Sequence, residues 1–253
     1  MRFLRFGTGK KTFVILPGLS VKSVLESAAA IARQYRAFSQ EYTVYVFDRR
    51  ENLPEEYSVF QMAEDTAAVM QALSLEGTCL FGASQGGMIA MLLAAKYPKL
   101  VKKLALGSTG AVVGEKEYQV IRHWAELAAR GKREELFADF CEKVYPKVFS
   151  ERFKSLFIEL SHSVTDEELS RFVILCEGTK GFDARTTLRS IQIPVLILSS
   201  ADDAVLGKEA PQELMHCLAS NHQVSIINYT DRGHAAYDTA EDYPQRLKCF
   251  FDE

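Results

Sequence analysis

The sequence predicts an α/β chain: a mostly parallel, doubly wound sheet with one inserted all-helical segment. Seven short runs rich in β-branched and aromatic residues, at 3–6, 12–16, 43–47, 78–81, 103–106, 195–199 and 225–229, carry the strand half of that reading. Helical patterns at 21–39, 58–73, 85–97, 208–219 and 239–251 lie between or after them. The strand runs are nearly continuous in apolar character, as strands buried on both faces are, and parallel neighbours need the long crossovers that such helices provide. The alternation stops between 113 and 188, where only helical patterns occur, at 115–130, 133–145, 150–160 and 166–176. That interruption divides the chain into a core of 1–112 and 189–253 and an insertion of 113–188, expected to sit as a cap over one edge of the sheet.

At the start, the two runs 3–6 and 12–16 flank Gly7-Thr8-Gly9-Lys10, which reads as a hairpin. The composition narrows the function. Thirty basic residues face 33 acidic ones, a formal charge of −3, so no general attraction draws the chain to nucleic acid. No apolar run approaches the roughly 20 residues that would span a membrane. The segment 1–7 alternates and then turns rather than forming a signal-peptide apolar stretch, so the cytoplasm is the expected location and a small molecule the expected partner. Cys79, Cys141, Cys176, Cys217 and Cys249 are odd in number, scattered, and never spaced as C-x-x-C. Four of them lie among apolar residues, where a thiol behaves as a small hydrophobe. No close metal-ligand spacing occurs, so neither a metal nor a cofactor is expected.

The most informative segment is Thr78-Cys-Leu-Phe-Gly82-Ala-Ser84-Gln-Gly86-Gly87-Met-Ile-Ala, a strand, a G-x-S-x-G turn and a helix. A serine at so sharp a strand-to-helix turn is forced into an unfavourable backbone conformation. Positions two before and two after it must be nearly bare, or strand and helix collide; Gly82 and Gly86 meet that need and Gly87 adds clearance. The hydroxyl then projects at the carboxyl edge of the sheet, with the N–H of Gln85 and the helix dipole facing a developing oxyanion. A phosphate-binding loop of the Walker A kind is excluded, because the lysine is missing from the turn and Gly9-Lys10-Lys11-Thr12 has Leu4 where the first glycine belongs.

Serine needs a base, and the base an orienting acid. His123 and His162 fall in the insertion, and His216 and His222 in or after a helical pattern. His234 follows the last strand in Thr230-Asp-Arg-Gly233-His234, on a loop leaving the same sheet edge as Ser84. The acid should also follow a strand, and Ser200-Ala-Asp202-Asp203-Ala-Val205 offers two adjacent carboxylates, of which only one can reach the imidazole.

The order Ser84, Asp203, His234, the elbow Gly82-Ala-Ser-Gln-Gly86, and Gly233-His-Ala-Ala-Tyr237 before a final amphipathic helix resemble the α/β-hydrolase superfamily across nearly the whole chain. The resemblance implies a serine hydrolase and selects Asp203, since in relatives the acid closes a strand–G-x-x-D–x-[IV] segment in which Ser200 here replaces the glycine. It also implies that Leu19 supplies the second oxyanion N–H. Two departures stand out. Relatives carry His-Gly where this chain has Pro17-Gly18, and their D-x-R-G-x-G-x-S run survives only as Asp48-Arg-Arg-Glu-Asn-Leu-Pro54. A serine at the elbow argues against dehalogenase and epoxide-hydrolase chemistry, which needs an aspartate there.

The expected reaction is hydrolysis of a small to medium, largely apolar carboxylic ester, thioester or amide through an acyl-enzyme. The insertion offers Trp124, Phe137, Phe140, Phe153 and Phe157 as packing or as pocket lining. Two other readings use the same residues: C–C bond hydrolysis, cofactor-free haloperoxidase-type activity or acyl transfer on the triad, or a binding protein that keeps the fold without turnover.

Overall fold

The structure, a computed structural model, describes residues 1–253. Seven strands form one sheet: β1 (Phe3–Phe6), β2 (Lys11–Leu16), β3 (Tyr42–Phe47), β4 (Thr78–Ala83), β5 (Val101–Gly107), β6 (Val195–Ser200) and β7 (Val224–Tyr229). Their spatial order is β1-β3-β2-β4-β5-β6-β7, parallel throughout except for β1. The expected α/β class is borne out.

The expected hairpin is not. β1 pairs antiparallel with β3 (Phe3 opposite Phe47), and β3 lies between β1 and β2. The glycines at 7 and 9 are needed for a different reason: the linker crosses the start of β3 at close range. A Cβ on Gly7, whose φ is +80°, would lie 2.3 Å from the Tyr42 carbonyl oxygen, and one on Gly9 would lie 1.8 Å from the Glu41 carbonyl carbon. A glycine-rich link between two strands here marks a crossover instead of a turn.

Helices α1 (Ala28–Gln34), α2 (Val59–Ala72) and α3 (Gln85–Lys96) precede the insertion. The expected helix over 21–39 is broken, with 3-10 turns at Val24–Ser27 and Arg36–Phe38 on either side of α1. The second break lets Tyr35 and Phe38 turn onto Phe13, at ring-centroid distances of 5.9 and 4.6 Å. α2 starts where Ser58 and Gln61 form a reciprocal capping box. Between β5 and β6 lie α4 (Glu115–Ala129), α5 (Arg133–Val144), α6 (Lys147–Ser161), α7 (Asp166–Glu177) and the short α8 (Arg185–Leu188). The remaining helices are α9 (Ala210–Cys217), α10 (Ala236–Thr239) and α11 (Tyr243–Asp252). Pro211 and Pro244 stand in the first turns of α9 and α11, where a missing N–H does no harm, and both helices therefore start later than their apolar pattern suggests.

Alternation along the strands feeds two cores. Val14 and Leu16 join a cluster of 50 buried residues on one face, while Phe13 and Ile15 join 19 on the other, under α1 and α11. The larger cluster also takes in Tyr118, Trp124, Leu136 and Phe172 from α4, α5 and α7, so the insertion packs onto the sheet-side core rather than around a core of its own. No helix is long and apolar enough to cross a membrane.

Candidate active site

Every strand end that matters opens on one edge. β4 delivers Ser84, β2 the loop Pro17-Gly18-Leu19, β3 the pair Asp48-Arg49, β6 the turn with Asp202 and Asp203, and β7 the loop with His234. In a parallel sheet the carboxyl ends share a side, which is why residues so distant in sequence converge there.

Ser84 sits at φ 51° and ψ −120°, a left-handed conformation that costs a residue with a side chain about 1–3 kcal/mol. Its surroundings hold it there. Its N–H donates to the Gly107 carbonyl at 2.8 Å, and its own carbonyl accepts from Thr109 Oγ1 at 2.8 Å. A Cβ on Gly82 would lie 2.3 Å from the Gly86 carbonyl oxygen, one on Gly86 would lie 2.0 Å from that of Leu16, and one on Gly87 would meet the Thr109 side chain at 2.6 Å. The bare positions predicted around the serine are thus required sterically.

His234 is 3 % exposed, and its Nδ1 lies 2.8 Å from Asp203 Oδ2. With a carboxylate as acceptor, Nδ1 carries the proton and Nε2 keeps its lone pair. The other Asp203 oxygen accepts the N–H groups of Val205 and Leu206, both at 2.9 Å. Burial pushes the Asp203 carboxyl up, but the His234 imidazole and these hydrogen bonds outweigh it and hold the group below its ordinary value. Asp202 instead fastens the loop that carries the histidine. Its Oδ2 accepts Gly233 N–H at 3.0 Å, and its Oδ1 accepts Arg232 N–H at 3.3 Å and the Ser200 hydroxyl at 2.6 Å. The remaining histidines, His123, His162, His216 and His222, are exposed.

Gly233 takes φ +63°, and a Cβ there would lie 2.8 Å from the backbone N of Pro146, between α5 and α6. Ala235 N–H donates to the Val144 carbonyl at 2.9 Å. The insertion therefore grips the histidine loop directly.

Ser84 and His234 face one cavity of about 20 Å³, and no hydrogen bond joins them in this structure. Such contacts are commonly long until a substrate closes them. Leu19 and Gln85 line the same cavity. The Leu19 N–H makes no hydrogen bond within the chain, and that of Gln85, first residue of α3, has no intrahelical acceptor. Met88, Ile121, Trp124, Phe140, Val144 and Leu206 supply most of the apolar wall, with Val205, Thr179 and Tyr237 completing it. Of the five aromatics singled out in the insertion, Trp124 and Phe140 reach the cavity; Phe137, Phe153 and Phe157 do not. Phe153 and Phe157 instead pack against Phe149 along α6, the first tilted and the second edge-on.

Sequence reasoning missed a polar layer behind the cavity. Gln85, 1 % exposed, accepts from Arg49 Nε and Nη2 at 3.3 and 3.1 Å and donates to the Leu175 carbonyl of α7 at 2.8 Å. Asp48 Oδ1 accepts from Arg171 Nη2 of α7 at 3.0 Å. Burial pushes the Arg49 guanidinium down to about 10, which leaves it a cation at neutral pH. The signal available was the Asp48-Arg49 remnant of the degraded motif, but nothing local names its partners.

The family model for the alpha/beta hydrolase fold matches residues 11–142. A 3-oxoadipate enol-lactonase of Acinetobacter baylyi is 24% identical over 224 residues, covering 85% of this chain and 83% of its own length. Among solved structures, MGS-M2, an alpha/beta hydrolase enzyme from a Medee basin deep-sea metagenome library, superposes with a TM-score of 0.87 at 21% identity, over 100% of this chain and 94% of that one. A thermophilic esterase from Thermogutta terrifontis gives 0.80 at 20% identity, over 99% and 92%. By sequence match and by sheet topology alike, this chain belongs to the α/β hydrolase fold family and is a hydrolase.

Proposed function

We propose that the chain hydrolyses small to medium, uncharged apolar carboxylic esters, thioesters or amides through a serine acyl-enzyme. The observation that carries this reading is the 2.8 Å contact of His234 Nδ1 with Asp203, made beside a cavity onto which the strained Ser84 also opens. Ser84 Oγ attacks the substrate carbonyl carbon while its proton passes to His234 Nε2. The N–H groups of Leu19 and Gln85 stabilise the oxyanion. Collapse expels the alcohol, which takes the proton from His234, and water repeats the sequence to release the acid and restore Ser84.

The apolar wall supports the substrate class. The residues around the cavity include no lysine, arginine, aspartate or glutamate, so nothing there would pair with a carboxylate on the substrate. Burying such a group unpaired is costly. On this reading the chain differs in substrate from the enol-lactonase it is similar to, whose named substrate class carries acid functions. Residues 113–188 act as a cap, a role supported by the Ile121, Trp124, Phe140 and Val144 side chains over the cavity. The five unpaired cysteines suit a cytoplasmic location.

A series of p-nitrophenyl esters tests the proposal. We expect turnover that is highest for short acyl chains, is abolished in Ser84→Ala and His234→Ala, and is far weaker for a hemisuccinate ester than for the butyrate. Equal turnover of the charged ester would overturn the substrate class. Unchanged turnover in Ser84→Ala would overturn the mechanism.

A further inference from the structure

The layer behind the cavity contains a charge the proposed chemistry does not use. Arg49 is 5 % exposed, and its side-chain hydrogen bonds go to uncharged acceptors: the Pro17 carbonyl at 2.8 Å through Nη2, and Gln85 Oε1 through Nε and Nη2. Asp48, its neighbour in sequence, directs its carboxylate elsewhere, to the Arg49 backbone N–H at 2.7 Å, to Arg171 at 3.0 Å and to Ser23 at 2.5 Å. Burying a guanidinium against carbonyls alone is expensive for stability. What the arrangement achieves is geometric. Pro17 lies two residues before Leu19, and Gln85 follows Ser84, so the two acceptors of Arg49 belong to the two segments that present the oxyanion N–H groups.

We infer that Arg49 is a positioning residue, its guanidinium fixing the separation between the Leu19 and Gln85 N–H groups by bracing the Pro17 carbonyl and the Gln85 side chain together. The inference rests on the acyl-enzyme reading above. Loop and elbow also approach closely at their glycines: a Cβ on Gly86 would lie 2.6 Å from the Pro17 carbonyl oxygen, and one on Gly18 would lie 3.1 Å from Ser84 Cβ. Such glycine faces pack closely but carry no directional bond, and can slide. Pro17 has no N–H and no polar side chain with which to anchor its own loop, leaving its carbonyl as the one handle. The planar fork of arginine can hold two acceptors in a fixed plane, which an ammonium cannot. Gln85 carries the brace onward to the Leu175 carbonyl, so α7 of the insertion and the oxyanion segments form one connected unit.

Steady-state hydrolysis of p-nitrophenyl acetate by wild type, Arg49→Met and Arg49→Lys tests this, with a fluorophosphonate titration counting competent sites in each. In Arg49→Met we expect kcat per competent site to fall about 10- to 100-fold, as a misplacement near 1 Å does, with KM changed less than about threefold. The midpoint of the pH–rate profile stays put, because His234 and Asp203 are untouched. Arg49→Lys recovers part of the loss, since it restores one donor but not the fork. A kcat per site within twofold of wild type in Arg49→Met would overturn the inference, as would a loss confined to KM. Should Arg49→Met fail to fold, Gln85→Met, which keeps the backbone N–H and removes the acceptor, must show the same kcat-selective loss. A wild type inert toward every ester would overturn the functional proposal and this one together, whereas an active wild type with an unimpaired Arg49→Met removes this one alone.

Discussion

The elbow at Ser84 is buried throughout, whereas the insertion over it buries only one side of its helices, and the two are specified in different ways. At the elbow, backbone lies against backbone: Gly82 against Gly86, Gly86 against Leu16 and Pro17. A position that tolerates only hydrogen leaves an unmistakable mark in a sequence. In the insertion, helices meet through side chains, and many side chains of suitable size could serve. Helical periodicity there says that a helix forms, without saying which apolar residue faces the cavity. α4 turns Trp124 inward, 2 % exposed and hydrogen-bonded to Asp139 at 2.8 Å, while α6 leaves Val148 81 % exposed and Leu156 48 %. On the proposed acyl-enzyme reading, rigid geometry around Ser84 and adaptable packing above it suit an enzyme whose chemistry is fixed and whose substrate is selected by the insertion.

The contrast can be broken or sharpened by substitution. Gly86→Ala should have the largest effect, costing about 5 kcal/mol or more, because the added methyl meets the Leu16 and Pro17 carbonyls rather than a movable side chain; urea unfolding measures it, and a near-neutral result would show that the elbow yields. Trp124→Ala should cost about 3–5 kcal/mol as a cavity-forming change, yet retain folding at reduced temperature and shift the preferred p-nitrophenyl ester toward longer acyl chains. An unchanged chain-length profile would remove Trp124 from the pocket wall.

A smaller effect concerns the acid limb of stability. Asp202, although burial pushes it up, is held below its ordinary value by the Ser200 hydroxyl and the Gly233 and Arg232 N–H groups. A carboxyl whose folded value lies below its unfolded one, near 3.8, adds stability above that value and loses it as pH falls through the folded value, since the unfolded chain takes up protons first. Asp202→Asn should therefore be less stable than wild type at pH 6 and lose less on acidification to pH 3, as read by urea midpoints at both pH values; parallel losses would contradict this. Smallest of all, Leu156→Gln on the exposed face of α6 should change stability by less than about 0.5 kcal/mol, which thermal unfolding would check.

Much of the molecule is legible in the sequence. The parallel sheet follows from strand runs that are nearly continuous in apolar character, and both faces of the sheet are indeed covered. Ser84 and His234 are readable because each follows a strand with a glycine at a position the backbone demands. Asp203 requires the resemblance, since two adjacent carboxylates are equivalent in a string of letters, and their different bonding depends on the path of the turn. β1 misleads because a glycine needed for a close crossover looks like a glycine needed for a turn. Arg49 is unreadable for a deeper reason: its acceptors come from the ends of two other strands, and only the sheet order brings them together.

The central claim is that Ser84, His234 and Asp203 act on one another as a chemical unit. Reaction with a fluorophosphonate followed by peptide mass spectrometry addresses it most directly. The account predicts a single adduct on Ser84 in wild type, and labelling at least a hundredfold slower in both His234→Ala and Asp203→Ala. Labelling of Ser84 at the same rate in all three proteins, or of another residue altogether, would contradict it.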